Sequence, residues 1–332
     1  MANIGNMYGP QFSFLGVPQC DLEDASTYKG ADVIIVGAPV DSGTSHRSGA
    51  KFGPQAIRMG DYLPHDGERP HLALRVDGLK ELKVFDAGDL LMPPGNLEES
   101  LKVLRAATEK ISRAGAIAVI LGGDHSIASA DVAGIADHRG FGRVSMIHFD
   151  AHADTGDLQF GALVGHGTPM HRLIDSGAVR GDRFLQLGLR GYWPGDETLA
   201  WMRDQGMRSY EMTEIHHRGM KAVLDESFAT LTRDCDGVFL SVDIDVVDPG
   251  MAPGTGTPEP GGMTSRELLE AVRRICLELP IVGIDVVEVA PPFDSADITS
   301  ILANRVVLEA LSAIAARKKG ITYSPTRNLL DR

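Results

Sequence analysis

The chain has 332 residues, with 43% hydrophobic and 23% charged side chains, enough apolar material for a substantial core and an ordinary globular composition. A formal net charge of -13 argues against nucleic acid and against an anionic membrane as partners, because both need clustered Lys and Arg. The cysteines, Cys20, Cys235 and Cys276, stand far apart with no CxxC, which argues against a disulfide framework or a thiolate metal site and fits a reducing compartment.

The first residues carry neither a basic n-region nor a long apolar run, so no signal peptide is expected and a cytoplasmic location follows. No stretch reads as the roughly 18 consecutive apolar residues that a bilayer span needs. Residues 1–30 are read as an N-terminal extension, 31–320 as one catalytic domain and 321–332 as a C-terminal tail. Short runs rich in Val and Ile at 32–40, 116–121, 144–149, 184–189, 238–244 and 281–289 predict strands buried on both faces. Amphipathic runs at 97–114, 126–137, 265–279 and 298–318 predict helices between them. Strands alternating with helices imply an α/β fold with a parallel sheet, whose ligands lie beyond the carboxyl ends of the strands.

Three of those strand ends carry chemistry: Leu-Gly-Gly-Asp-His-Ser at 121–126, Phe-Asp-Ala-His-Ala-Asp at 149–154, and Ser-Val-Asp-Ile-Asp-Val-Val-Asp-Pro at 241–249. Asp150, His152 and Asp154 are spaced by two, as are Asp243 and Asp245, so an extended chain would turn each set to one face. Singly, each piece has a bland reading: a capping histidine, or a solvated turn. Together they place four carboxylates at one sheet edge, and buried carboxylates are costly without compensation. Two divalent cations balance four negative charges, with His125 and His152 completing the shells. Oxygen donors with imidazole suit Mn2+, and Ni2+ is the alternative. His148 is read as facing away from Asp150, His171 and His217 as surface residues, Asp124 as a cap or as orienting His125, and Asp248 as fixing a turn.

These motifs resemble those of the ureohydrolase family: arginases, agmatinases and guanidino-acid hydrolases. GTSHRSGAKFGP at 43–54, PGTGTPEPGG at 253–262 and DVVEVAPPFD at 285–294 extend the resemblance over about residues 32–316, with an agmatinase-like character. His46, where the family often has Tyr, and Ala153, where agmatinases often have Leu, Ser or Thr, depart from the pattern. The resemblance implies a three-layer α/β/α sandwich around an eight-stranded, mostly parallel sheet. It implies one ion on His125, Asp150, Asp154 and Asp243, and a second on Asp150, His152, Asp243 and Asp245. It also implies that Glu288 binds the guanidinium, that His166 shuttles protons, and that the chain forms a homo-oligomer, trimer or hexamer.

The expected reaction is hydrolysis of a small guanidino substrate to urea and an amine. Because a guanidinium keeps its proton at any cellular pH and is a poor electrophile, the attacking water would be activated by metal and oriented by Asp154. Residues 155–165 hold no Lys or Arg, which puts agmatine first. Arg47 and Arg190 leave room for guanidinobutyrate, guanidinopropionate or proclavaminate, and free guanidine is a further candidate. A metal-binding partner subunit of a hetero-oligomeric enzyme is the non-enzyme alternative.

Overall fold

The computed structural model describes residues 12–61, 69–322 and 324. Residues 1–11 of the expected extension and most of the expected tail lie outside the described residues. Eight strands form one sheet: β1 (Val33–Ala38), β2 (Val84–Asp89), β3 (Ile117–Gly122), β4 (Val144–Phe149), β5 (Val179–Leu189), β6 (Arg208–Glu211), β7 (Gly237–Asp243) and β8 (Ile281–Val287). Their order is β2-β1-β3-β8-β7-β4-β5-β6, and every pairing is parallel.

Strand alternation divides the core in two. Val33, Ile35, Val119 and Leu121 join one apolar cluster, while Ile34, Val36, Ala118 and Ile120 join the other. The first cluster is covered by helices Met220–Leu231, Ser265–Glu278 and Ile298–Lys318, the second by Leu97–Arg113, Ala128–Arg139 and Pro169–Asp175. Helices therefore cover both faces, as the burial of parallel strands requires. Local signals set the helix ends. Asn96 accepts from Glu99 N at the start of Leu97–Arg113, and Thr264 with Glu267 forms a capping box before Ser265–Glu278.

The structure corrects several sequence expectations. β2 and β6 are edge strands, short and carrying Asp or Arg and Glu, so they lack the apolar run that marked the inner strands. In β2, Asp86 is tied by Arg58, whose Nε and Nη2 donate to it at 2.9 Å. β8 stops at Val287, because Glu288 takes a left-handed conformation with φ 61°. Ile298–Lys318 is long and apolar enough by mean hydropathy to cross a bilayer, but 78% of its apolar window is buried inside the fold, as in a core helix.

The four inner strands β3, β8, β7 and β4 end at one edge, and the three acidic motifs lie at the ends of β3, β4 and β7. The turn after β3 demands glycine. A Cβ on Gly123 would lie 1.8 Å from the Val40 carbonyl oxygen, the acceptor of the Asp124 N–H at 2.8 Å. Gly123→Ala should therefore cost about 3 kcal/mol or more. An unchanged thermal midpoint for that variant would contradict this close approach.

Candidate metal centre

At the end of β3, the Asp124 carboxylate accepts from Gly43 N at 2.7 Å, from Ser126 N at 3.0 Å and from the Ser126 hydroxyl. It caps the turn His125–Ile127, and so acts as a cap rather than as a partner of the His125 ring. That turn aims His125 at three carboxylates: its Nδ1 lies 3.1 Å from oxygens of Asp150, Asp154 and Asp243 alike. Its Nε2 lies 2.9 Å from Ser241 Oγ, which donates to Asp285 Oδ1 at 2.8 Å. Since the hydroxyl proton is spent on Asp285, Ser241 accepts the Nε2–H, and Nδ1 is left to face the carboxylates with its lone pair. One nitrogen cannot bond three anionic oxygens. Four donors about 2.1 Å from a common ion, at right angles, would stand about 3 Å apart, close to the observed spacing.

A second group adjoins the first. His152 Nδ1 lies 3.1 Å from Asp245 Oδ2 and 3.4 Å from Asp150 Oδ1. Asp150 thus offers Oδ2 to the first group and Oδ1 to the second. Asp243 places Oδ2 in the first group, while its Oδ1 accepts the Asp245 N–H at 2.9 Å. All six expected ligands therefore converge, but not by strand alternation. β4 ends at Phe149, Asp154 sits at φ 53°, and residues Ile244–Val246 form a 3-10 turn, so bends rather than an extended chain bring the side chains together.

Electrostatics carries the same message. Burial drives the Asp243 carboxyl well above its ordinary range, and the charges of Asp245 and Asp150 push it further. Burial likewise raises Asp245. Burial opposes charge on His152, but Asp245 and Asp150 outweigh it and push the imidazole up to about 12. Without a cation, the cluster must take up protons to offset its charge.

His148 corrects the sequence reading. It lies two residues before Asp150, so alternation puts both on one face, and its Nε2 is 2.8 Å from Asp150 Oδ2. Gln186 Nε2 donates to His148 Nδ1 at 3.2 Å and to Ala153 O at 2.7 Å, while Gln186 Oε1 accepts from Ser209 at 2.8 Å. His148 therefore donates from Nε2 and steadies the carboxylate that both groups share. The correct parity of the spacing was the signal for it. His171, expected at the surface, is half-buried and stacks on Trp201 at 4.0 Å. Asp248 does fix a turn, accepting from Gly250, Gly261 and Gly262.

Glu288 and His166 stand beside the cluster. Glu288 Oε1 accepts from His125 N and from His166 Nδ1, both at 2.9 Å, while the buried Oε2 has no partner among the described residues. Burial works to raise Glu288, but the His166 charge and hydrogen bond hold it below its ordinary value. His166 Nε2 lies 3.0 Å from Ser45 N and 2.7 Å from Ser45 Oγ, so the ring can be neutral toward the N–H or charged toward the hydroxyl. Burial opposes that charge, but Glu288 outweighs it and pushes His166 up to about 9.

A cleft of about 460 Å³ leads inward to His152, Asp154, Asp243 and His166. Neither arginine left open by the sequence reaches it. Arg190 donates to the carbonyls of Asp245 and Glu259 at 2.7 Å and of Val246 at 3.1 Å. Arg47 donates to the carbonyls of Thr255 at 2.7 Å and Gly256 at 3.1 Å, and stacks on Phe293.

Because protons must leave as a cation enters, Mn2+ affinity measured by titration calorimetry should rise from pH 6 to 8, by about tenfold per unit for each proton released. A pH-independent affinity would contradict this linkage. Asp150→Ala should lose bound divalent metal on elemental analysis; full metal content would remove Asp150 from the candidate ligand set.

Comparison with known proteins places these features in context. The Arginase family profile matches residues 31–313. The chain is 38% identical over 290 residues to proclavaminate amidinohydrolase of Streptomyces clavuligerus, covering 85% of this chain and 88% of that protein. It is 36% identical to guanidinobutyrase of Pseudomonas aeruginosa, covering 85% and 86% of the two, and 37% identical to mitochondrial agmatinase of Gallus gallus, covering 87% and 83%. The solved proclavaminate amidinohydrolase superposes with a TM-score of 0.84 at 33% identity, covering 94% of this chain and 100% of that one.

Proposed function

This chain belongs to the arginase family and is a hydrolase of amidino or guanidino C–N bonds, and from that premise we propose that it releases urea and an amine through a pair of divalent ions. One observation carries the metal reading: a single buried nitrogen, His125 Nδ1, has three carboxylate oxygens at 3.1 Å. His125, Asp150, Asp154 and Asp243 would hold one ion; Asp150, His152, Asp243 and Asp245 would hold the other. The hard oxygen and imidazole donors favour Mn2+, with Ni2+ as the alternative. Bound there, such ions supply a nucleophile by lowering the pKa of water from 15.7 to about 7.

The protein's own groups do the rest. Glu288 is ionised, and its unpartnered Oε2 is available to a guanidinium N–H in a charge-assisted hydrogen bond. Asp154, in the cleft wall, orients the attacking water. Cleavage of the C–N bond needs a proton on the departing amine, and His166 carries one at the cleft wall, steadied by Ser45 Oγ. With both arginines bonded to backbone carbonyls, an acid-tailed substrate meets no cationic partner from them, which keeps agmatine ahead of guanidinobutyrate, guanidinopropionate and proclavaminate as the first compound to assay. Relatives of near-equal identity carry three different substrate names, so identity does not choose among them.

A urea-release screen over agmatine, arginine, the guanidino acids, guanidine and simple alkylguanidines, with protein reloaded with Mn2+ or Ni2+, tests the reading; no urea from any of them would sink it. Glu288→Gln should keep both ions yet lose about 10²-fold in kcat/KM; unchanged kinetics would take Glu288 out of the site. If His166 delivers the proton, its charged form predominates below about pH 9, so kcat should fall as pH rises through that value. That alkaline limb should vanish in His166→Asn, whose kcat drops about 10²-fold; persistence of the limb would assign the proton elsewhere.

A further inference from the structure

We propose that the outer half of the cleft is an uncharged apolar subsite, and that the preferred substrate is a guanidine with a hydrocarbon or aryl tail rather than an ammonium or carboxylate tail. This rests on the hydrolase reading and narrows it. Whatever guanidine lies against the metal cluster must run its tail along the same continuous cleft, so the outer walls meet the tail directly.

The polar side chains of those walls are already bonded within the protein. Ser45 Oγ lies 2.7 Å from His166 Nε2. Gln159 donates from Nε2 to Gly43 O at 3.1 Å and accepts from Gly167 N at 2.7 Å, while Thr257 Oγ1 donates to Asp245 Oδ2 at 3.4 Å. Among the described residues lining the cleft there is no Lys or Arg, and the carboxylates there are Asp154 and Asp243 of the metal cluster. A carboxylate tail therefore lacks a cation. An ammonium tail lacks an anion at its own end of the cleft. Desolvating either without a partner is costly.

What the outer walls do offer is apolar and exposed: Leu158 at 55%, Phe160 at 91% and Trp193 at 42%. The loop that presents Phe160 is built, not loose. Gln159 and Ala162 exchange both backbone hydrogen bonds at 2.9 Å, making a two-residue hairpin turn of Phe160 and Gly161, at φ 50° and 85°. Such turns favour Asn-Gly, because both central residues are left-handed. A bulky aromatic there is strained, and strain of this kind collects at functional sites. The two hydrogen bonds keep Phe160 in this turn and in the lining of the cleft, and the Trp193 indole lies near Gly156.

The test compares kcat/KM for urea release from methyl-, ethyl-, butyl-, pentyl- and phenethylguanidine, agmatine and 4-guanidinobutyrate, using the metal-loaded enzyme. Pentylguanidine is agmatine with a methyl group in place of the ammonium. The subsite predicts a rise of about fourfold per methylene along the alkyl series, and pentylguanidine at least about tenfold ahead of agmatine. Phe160→Ser and Trp193→Ser should lower kcat/KM for pentylguanidine about tenfold more than for methylguanidine. Agmatine or guanidinobutyrate ahead of pentylguanidine, or an equal effect of these variants on both alkylguanidines, would overturn the subsite and leave the hydrolase reading standing. Urea from none of the compounds would instead overturn the hydrolase reading, and calorimetric binding of pentylguanidine against agmatine would then decide the tail preference.

Discussion

Four carboxylates and two imidazoles crowded at one sheet edge constitute a charge problem that the rest of the molecule is arranged around. Asp150, Asp154, Asp243 and Asp245 are each at most 6% exposed, and they face one another as much as they face His125 and His152. In water such a set would fly apart; here it cannot, because each side chain is anchored to the end of an inner strand or the turn that follows it. The parallel sheet supplies that anchoring. Four adjacent strands running the same way deliver four loops to one place, and two helical layers keep the strands from adjusting. Repulsion is thus held in place by burial of the core, and a pair of divalent ions is the compensation that such a site can use.

Holding the ligands is only half of the arrangement; the other half is orientation. His125 is steadied by Ser241, which is bonded to Asp285. Burial and the neighbouring Asp285 drive the Asp131 carboxyl well above the ordinary carboxylate range. On the other side, Ser209, Gln186 and His148 form a chain that ends on Asp150. Both chains end on one of the six converging side chains, so each determines which atom of it faces inward. Asp154 and Glu288 show a related cost: both are non-glycine residues at left-handed φ, an expense of about 1–3 kcal/mol each that ordinary packing would avoid.

The six side chains that converge were legible in the sequence because their signal is local. His125, Asp150, His152, Asp154, Asp243 and Asp245 lie in three short segments, each directly after an apolar strand. The physical reason offered for their convergence was only partly right, since bends after β4 and β7 do what alternation was expected to do. Inner strands were legible because burial on both faces forces a continuous apolar run; edge strands β2 and β6 escape that requirement and so escape notice. The fate of Arg47 and Arg190 was not legible at all. Their carbonyl partners lie 208 and 209 residues away for Arg47 and, Gly188 apart, 55 to 70 residues away for Arg190, and no spacing rule reaches so far.

The two ends of the cleft therefore recognise by different physics. At the inner end, on the proposed reading, a buried carboxylate, Glu288, answers the one charge that every guanidine must carry, and it does so whatever follows. Nothing in that contact can tell one tail from another. Discrimination falls to the outer walls, where apolar contact yields only about 0.8 kcal/mol per methylene and so separates one hydrocarbon from the next weakly. The same walls separate charged from uncharged tails strongly, because an ion stripped of water finds no partner in them. A site built this way is strict about charge and tolerant about length. Loop substitutions at Leu158, Phe160 or Trp193 would shift its preference without touching the groups that break the bond.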